Sequence, residues 1–296
     1  MANLRNIQRR INSVNSTRKI TSTMQMISAA KVGRTAARLQ RGVPYSQALS
    51  QIMQNLLNEG SNLPQAYVKE HKEIRNSLII CVVSDKGLAG GFNSNILKMA
   101  QTIINDNNNK NVTTHVIAHG KKAIGYFKFR NIDTVLQFEG TSDYPKLEDA
   151  STIANWAIDN FSSGNIDEVH LLYNKSKNSM EQTPTSFKLL PVNPDELVNS
   201  NSEQMFKKGE VEIMYKPSRE AILQNLFPLL INNKIFNALL DSAAGEQVAR
   251  RVAMQNATDS ANDMIDTLTR LYNSVRQGAI TTELNEIVGG AEALAE

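Results

Sequence analysis

The chain has 296 residues, of which 41% are hydrophobic and 21% charged, and its formal net charge is +3. These values are ordinary for a globular protein and leave room for one large domain or two smaller ones. No apolar run approaches the roughly 18 residues of a membrane-spanning helix, so we expect a chain that does not cross a bilayer. The single cysteine, Cys81, excludes an intramolecular disulfide.

The positive charge is concentrated at the N-terminal end. Between Met1 and Asn58 there are nine Lys or Arg residues and no Asp or Glu, so the rest of the chain is net negative. Mitochondrial transit peptides, helices that bind nucleic acid and solvated helix faces all have this composition. The first 44 residues contain no Phe, Tyr or Trp that could stack on bases, which argues against nucleic acid as the partner.

A long helix is predicted from Asn3 to Asn58. No strong breaker comes before Pro44, where we expect a bend. The apolar residues follow steps of three and four, first as Leu4, Ile7, Ile11 and Val14, and then in a shifted phase as Ile20, Met24 and Ile27. Such a helix is roughly 80 Å long, and its narrow apolar stripe favours pairing with another helix over packing on a sheet.

The middle of the chain alternates between strand and helix patterns. Apolar runs predict strands at Ser77–Ser84, Thr114–His119, Ile166–Asn174 and Thr185–Val192. Helices are predicted at Asn93–Asn105 and Leu147–Phe161, and the polar run DNNNKN after the first of them is interpreted as a loop. This order predicts a Rossmann-like α/β domain with a largely parallel sheet over residues 76–210.

The helical period returns after Pro217. Ser218 followed by Glu220 predicts the start of a second long helix, which runs to about Val288. Its seam is predicted to consist of Met254, Ala257, Ala261, Met264, Leu268, Leu271 and Val275. We therefore expect an antiparallel coiled coil of the terminal helices, formed by residues 1–75 and 211–296, with the α/β domain inserted between them.

The glycine-rich segment VVSDKGLAGGFNSN (Val82–Asn95) raises the alternative of a nucleotide-binding α/β enzyme with helical arms. Lys86 and the second turn HGKK at His119–Lys122 would add positive charge for a phosphate. The spacing is G-x-x-G-G, however, and neither G-x-G-x-x-G nor G-K-[ST] is present, so tight turns are the better interpretation. The four histidines lack ligand spacing and Cys81 lies in an apolar strand, so we expect no catalytic residue, metal or cofactor.

Three blocks of sequence resemble the γ subunit family of F-type ATP synthases, and the resemblance extends over the whole chain. They are RRINSVNSTRKITSTMQMISAAK at the N-terminus, SDKGLAGGFNSNI in the middle, and SAAGEQVARRVAMQNATDSANDMI followed by AITTELNEIVGGAEA at the C-terminus. Two departures are small: Ala89 stands where many family members have Cys, and Gly278-Ala279 replaces Ala-Ser.

The resemblance implies a non-catalytic central-stalk rotor of the proton-translocating F1Fo complex, which also contributes to the regulation of ATPase activity and proton flow. The coiled coil would turn inside a ring of three α and three β subunits. The α/β domain would sit with the ε subunit on the membrane c-ring. The protein would be peripheral to the cytoplasmic side of the cell (inner) membrane, held there only through the complex, and would bind no nucleic acid.

The resemblance also implies which residues contact partners. The β subunits of this family present an acidic segment at the rim of the cavity. The residues expected to contact β subunits along the shaft are Arg9, Arg10, Arg18, Lys19, Met24, Lys31, Arg34, Arg276, Gln277 and Thr281. The residues expected to lie in the upper apolar bearing are Ile280, Leu284 and Ile287.

Overall fold

The structure is a computed structural model that describes residues 4–58, 65–68, 73–176, 181–193, 216 and 218–295. Its helices are α1 (Leu4–Asn58), α2 (Gln65–Val68), α3 (Phe92–Asn109), α4 (Lys121–Phe129), α5 (Leu147–Ser162) and α6 (Arg219–Ala295). Its strands are β1 (Asn76–Val82), β2 (Thr113–His119), β3 (Leu136–Phe138), β4 (Glu168–Ser176) and β5 (Gln182–Leu190).

The chain divides into two compact units. The helix unit consists of Met1–Ala29 and Arg250–Glu296, and the sheet unit consists of Ala30–Ala249. The two long helices therefore each contribute one part to each unit. The domain boundaries placed at 75/76 and 210/211 stay a prediction, and the second of them lies outside the described residues.

The sheet unit is built on five strands in the order β3-β2-β1-β4-β5. Strands β1 to β4 pair in parallel, and β5 pairs antiparallel to β4. Along β1 the side chains alternate between two apolar clusters: Leu78, Ile80 and Val82 enter one, while Ile79 and Cys81 enter the other. Because both faces are covered, β1 is apolar from Leu78 to its end at Val82, as the sequence predicted for a strand of a parallel sheet.

Parts of both long helices cover one face of the sheet. Leu49, Met53 and Leu56 of α1 and Phe227 of α6 belong to the same buried cluster as α5. The two long helices also contact each other in this unit, where Ser46 Oγ accepts hydrogen bonds from Asn233 Nδ2 at 3.0 Å and Asn237 Nδ2 at 2.8 Å. Helices α3 and α4 cover the other face, which buries Cys81 completely and raises the pKa of its thiol to about 12.

Three local features differ from the sequence predictions. Helix α3 continues to Asn109 through the run interpreted as a loop, because Asn107 turns inward and donates to Thr114 Oγ1 at 3.0 Å. The turn at HGKK opens α4, and the short strand β3 follows; neither was predicted. Strand β4 runs to Ser176 and β5 begins at Gln182, each two or three residues away from the predicted bounds.

Gly120 is required at the start of α4. Its φ is +99°, and a Cβ atom there would lie 2.2 Å from the carbonyl oxygen of Val83. The chain can therefore pass from β2 into α4 only because this residue has no side chain.

In the helix unit, α1 and α6 pair in opposite directions. Arg18 Nη1 donates to Asn262 Oδ1 at 3.4 Å, and the hydroxyls of Thr21 and Thr258 are 2.7 Å apart. Gln25 Nε2 donates to Gln255 Oε1. As the number on α1 rises, the number of its partner on α6 falls, so the pair is antiparallel, as predicted.

The seam of α1 differs from the predicted one. We expected the apolar stripe to shift to Ile20 and Ile27, but these side chains are 60% and 53% exposed. The covered positions lie on a seven-residue repeat, which consists of the partly buried Val14 and the buried Ile7, Thr21 and Ser28. A polar residue can occupy a buried position of this repeat because the hydroxyl of Thr21 makes a hydrogen bond across the seam.

The seam of α6 is half correct. Met254, Ala261 and Leu268 are buried as predicted, whereas Met264 and Leu271 are 53% and 46% exposed. The predicted residues Ala257 and Val275 are partly covered. Thr258, Ile265 and Tyr272, which were not predicted, are partly covered as well. The prediction followed apolar residue type, but one of these three positions is filled by a hydroxyl that bonds to α1.

The N-terminus of α6 is capped as predicted. Ser218 Oγ accepts a hydrogen bond from the backbone N–H of Ala221 at 3.2 Å, and Glu220 lies in the first turn. The helix runs beyond the predicted end at Val288 to Ala295. Both long helices are continuous through an internal proline, Pro44 in α1 and Pro228 in α6.

Removing a large buried side chain should destabilise the sheet unit strongly. Phe227 is fully buried where α6 meets the sheet, so we expect Phe227→Ala to lower the free energy of unfolding by about 3–5 kcal/mol. Phe129 is 82% exposed, and Phe129→Ala should change it by less than about 0.5 kcal/mol. Equilibrium urea unfolding of the two variants checks this, and similar losses in both would contradict the assigned core.

Candidate functional site

The cations predicted to contact β subunits fall into two groups. Arg9, Arg10, Lys19 and Arg34 are exposed. Arg276, on α6, is exposed as well. Arg18 and Lys31 already have partners within the chain, since Arg18 bonds to Asn262 across the helix pair and Lys31 Nζ lies 3.0 Å from Asp143 Oδ2. The exposed group therefore remains available to an outside partner, while the second group contributes to the fold as well.

Met24 and Arg34 have contrasting surroundings. Met24 is partly buried in the helix unit. Arg34 lines a cavity of about 270 Å³ in the sheet unit, whose walls come from α1, the loop before α5 and α6. The apolar part of that wall includes Tyr144, Leu240 and Ala243.

The C-terminal part of α6 exposes the predicted contact residues. Arg276 and Gln277 are exposed, and Thr281 Oγ1 donates to the carbonyl oxygen of Gln277 at 2.9 Å. The apolar residues Ile280, Leu284 and Ile287 are also exposed. The exposed side chain of Val288 extends this apolar surface.

The glycine-rich turn after β1 is held by the chain itself. The carboxylate of Asp85 accepts the backbone N–H groups of Lys121 at 2.8 Å and Ser142 at 3.0 Å. Lys86 Nζ, the cation considered for a phosphate, lies 2.6 Å from Asp143 Oδ2. A helix N-terminus is a place where a phosphate can bind, and at the N-terminus of α4 the side chain of Asp85 takes that place.

The environment of Asp85 fixes its charge. Burial alone would raise its pKa, but backbone N–H donors from Lys121, Gly140 and Ser142 more than offset this, so the pKa lies below the ordinary value. The carboxylate therefore stays ionised at neutral pH. Neither a nucleotide nor a catalytic acid is needed to explain this turn.

No group of three or more His, Cys, Asp or Glu side chains placed to hold a metal ion occurs among the residues that the structure describes. Of the four histidines, His71 lies outside that part of the chain. No helix in the described ranges is both long enough and apolar enough to span a membrane.

Comparison with known proteins agrees with this arrangement. A family model described as ATP synthase matches residues 3–294. The ATP synthase gamma chain of Leptospira biflexa is 37% identical over 294 residues, covering 99% of this chain and all of the relative. That of Glaesserella parasuis is 35% identical over the same length, with the same coverage.

The solved structures show the same fold at lower identity. The rotor of the Euglena gracilis mitochondrial ATP synthase matches with a TM-score of 0.62 and 17% identity, over 94% of this chain and 98% of that one. A chain of the Tetrahymena thermophila central stalk and c-ring structure matches with a TM-score of 0.59 and 23% identity, over 80% and 99%. The fold is thus that of a rotary ATP synthase stalk chain. On the sequence matches, the chain belongs to the ATP synthase gamma chain family.

The charge of Asp85 should make part of the stability depend on pH. Because its folded-state pKa is lowered, its contribution is present above its unfolded pKa, roughly 3.9, and is lost as pH falls through the folded value. We expect Asp85→Asn to lose about 1–3 kcal/mol of unfolding free energy at pH 7. The difference from the wild type should shrink on acidification to about pH 3.

Urea unfolding of both proteins at several pH values measures this difference. Asp133 is exposed and serves as the control, since Asp133→Asn should change little at any pH. A loss in Asp85→Asn that stays constant between neutral and acid pH would contradict the assigned role of the carboxylate.

Proposed function

We propose that the chain is the central-stalk rotor subunit of a proton-translocating F1Fo ATP synthase, which transmits rotation of the membrane c-ring to the catalytic α3β3 ring. The observation that carries this proposal is the similarity to ATP synthase gamma chains over 99% of the chain, together with the ATP synthase family match over residues 3–294. The chain is a non-catalytic subunit of its complex. We also propose that the chain contributes to the regulation of ATPase activity and proton flow.

The helix pair has properties that a rotating shaft needs. Polar contacts across the seam, such as Thr21 with Thr258, fix the register of α1 against α6. Two helices in fixed register twist together under load, whereas two helices in a purely apolar seam could slide past each other. The helix unit can therefore deliver torque along its axis.

The exposed cations supply attraction without a fixed partner. Arg9, Arg10 and Lys19 lie on a part of α1 that carries no acidic residue. An exposed ion pair contributes only about 0.2–1 kcal/mol, so contacts with acidic segments of three successive β subunits can break and reform as the shaft turns. Arg34, Arg276, Gln277 and Thr281 are proposed to add contacts of the same kind, and Met24 an uncharged one.

The C-terminal end of α6 suits an apolar bearing. Ile280, Leu284 and Ile287 are exposed in this chain, and exposed apolar side chains of this size favour burial by a partner. Contacts of apolar side chains are non-directional, so their energy changes little with angle. We propose that the upper collar of the α and β subunits covers them.

The sheet unit is proposed to contact the ε subunit and the c-ring. In that arrangement the protein is peripheral to the cytoplasmic side of the cell membrane and associates with it only through the complex. The alternative function, a nucleotide-binding enzyme, is disfavoured because the glycine-rich segment has neither of the phosphate-binding spacings and because Asp85 takes the place of a phosphate at the N-terminus of α4.

Reconstitution tests the proposal. The chain should co-purify with α and β subunits as an α3β3γ complex and raise the rate of ATP hydrolysis above that of α3β3. If it binds neither subunit, the rotor assignment is wrong. Binding of ADP or ATP by the chain alone, lost in Lys86→Ala, would favour the nucleotide-binding alternative instead.

Neutralising the exposed cations should weaken coupling. We expect a variant with Arg9, Arg10, Lys19 and Arg34 all changed to Gln to lose proton-driven ATP synthesis by about threefold or more, because four weak ion pairs are removed. The loss should be smaller at high ionic strength, where the wild-type contacts are screened as well.

The matched control changes four exposed cations of the sheet unit to Gln, namely Lys98, Lys110, Lys122 and Lys128. Both variants lose four positive charges. An equal loss of ATP synthesis in the two would therefore mean that the location of the cations on α1 does not matter. Synthesis rates in reconstituted vesicles at two salt concentrations provide the measurement.

A further inference from the structure

The loop between β3 and α5 contains a carboxylate that receives three side-chain donors from three separate elements. Asp143 Oδ2 accepts from Lys31 Nζ of α1 at 3.0 Å and from Lys86 Nζ, in the turn after β1, at 2.6 Å. Asp143 Oδ1 accepts from Gln247 Nε2 of α6 at 2.9 Å. One side chain thus joins the α/β fold to both long helices within the sheet unit.

We infer that Asp143 is a positioning residue for torque transmission: it fixes α1 and α6 to the α/β fold so that rotation of that fold turns both helices together. The inference rests on the proposed rotor function. It concerns only contacts inside the sheet unit and requires no particular geometry of the partners.

The surroundings of Asp143 stabilise its charged contacts with Lys31 and Lys86. Gln247 is buried, and the side chain of Asp143 is 32% exposed. Burial would raise the pKa of Asp143, but hydrogen bonds and charge from Lys86 and Lys31 more than offset it, so the pKa lies below the ordinary value. Charge-assisted hydrogen bonds of this kind are stronger than neutral ones and have a defined direction.

Apolar packing alone would not supply this constraint. The residues of α1 that pack in the apolar cluster of the sheet unit begin at Leu49, and Lys31 lies roughly 27 Å further along the helix. The apolar cluster holds α1 at Leu49 and beyond, whereas at Lys31 the helix is held by a directional hydrogen bond to Asp143. The Asp143 contact acts on α1 at a distance from the packed core and in a fixed direction.

The loop that carries Asp143 is itself fastened to the sheet. Ser142, its neighbour, donates its backbone N–H to Asp85 and accepts the N–H of Asp85 on its hydroxyl at 3.0 Å. Thr141 Oγ1 lies 3.1 Å from Nε2 of the buried His119 at the end of β2. A mechanical load on the carboxyl ends of β1 and β2 can therefore be transmitted through the loop that carries Asp143 to α1 and α6.

A second loop contact reinforces α1. The Arg38 guanidinium lies 3.7 Å from the centre of the Tyr144 ring, and Arg38 Nη2 donates to the carbonyl oxygen of Pro145. These contacts involve α1 alone, whereas Asp143 reaches α6 through Gln247 as well. Asp143 is therefore the residue to test.

The test uses the complete F1Fo complex in vesicles and compares proton pumping per ATP hydrolysed. Asp143→Asn keeps the shape of the side chain and removes its charge. We expect hydrolysis by the complex to persist and pumping per ATP to fall about twofold or more. Asp133→Asn, at an exposed position of the same fold, should pump like the wild type.

A covalent cross-link in place of the hydrogen bond between Asp143 and Gln247 separates a loss of positioning from a general loss of folding. With Asp143→Cys and Gln247→Cys combined, pumping should be low before treatment and recover after a short bis-maleimide joins the two thiols. Cys81 is fully buried and should not react. Because a cross-link can also stabilise a fold, urea unfolding of the uncross-linked variant is measured as well, and a stability close to that of the wild type shows that its low pumping does not come from poor folding.

Two results would overturn the inference while leaving the rotor function intact: normal pumping by Asp143→Asn, or no recovery on cross-linking. Failure of the wild-type chain to assemble with α and β subunits would instead remove the rotor function, and the inference with it. Low pumping in Asp143→Asn, normal pumping in Asp133→Asn and recovery on cross-linking together would support it.

Discussion

The two threonine hydroxyls of Thr21 and Thr258, 2.7 Å apart, set the register in which the ends of the chain meet. With Arg18 to Asn262 on one side and Gln25 to Gln255 on the other, they form a short polar ladder inside the helix pair. An apolar seam would bind more tightly but would specify position less well, since polar groups in a seam are satisfied in only one alignment. The fold thus exchanges some stability for a defined alignment of its two ends.

In the sheet unit, contacts of charged side chains fix the alignment of neighbouring elements. The strands of this unit have the order found in nucleotide-binding folds, yet the chain places its own Asp85 at the N-terminus of α4 and engages the neighbouring Lys86 through Asp143. A site that would recognise a ligand in an enzyme is used here to hold a loop. The resulting network connects the sheet edge to Lys31 and Gln247 on the two long helices.

The two long helices and the parallel sheet could be predicted from sequence. The main exceptions depend on contacts between residues that are far apart in the chain. Periodicity located both long helices and the parallel sheet, because burial of apolar side chains dominates those patterns. It misplaced the α1 seam at Ile20, because the buried position there is Thr21, whose hydroxyl has its partner on α6, 237 residues away. In α6 it assigned Met264 to the seam, whereas the neighbouring Ile265 is the partly covered residue. Likewise, no local pattern marks Asp143, whose three donors come from distant parts of the chain.

The separation of the two ends in sequence also constrains how the protein is made. Thr21 and Thr258 are 237 residues apart, so α1 leaves the ribosome long before its partner exists. Closing so long a loop costs little more than closing a shorter one, since the entropy grows only with the logarithm of length, but contacts of this kind form late. During that interval the acid-free charge of α1 keeps copies of the unpaired helix apart by mutual repulsion. The same residues proposed to attract a partner in the finished protein therefore protect the nascent chain from association.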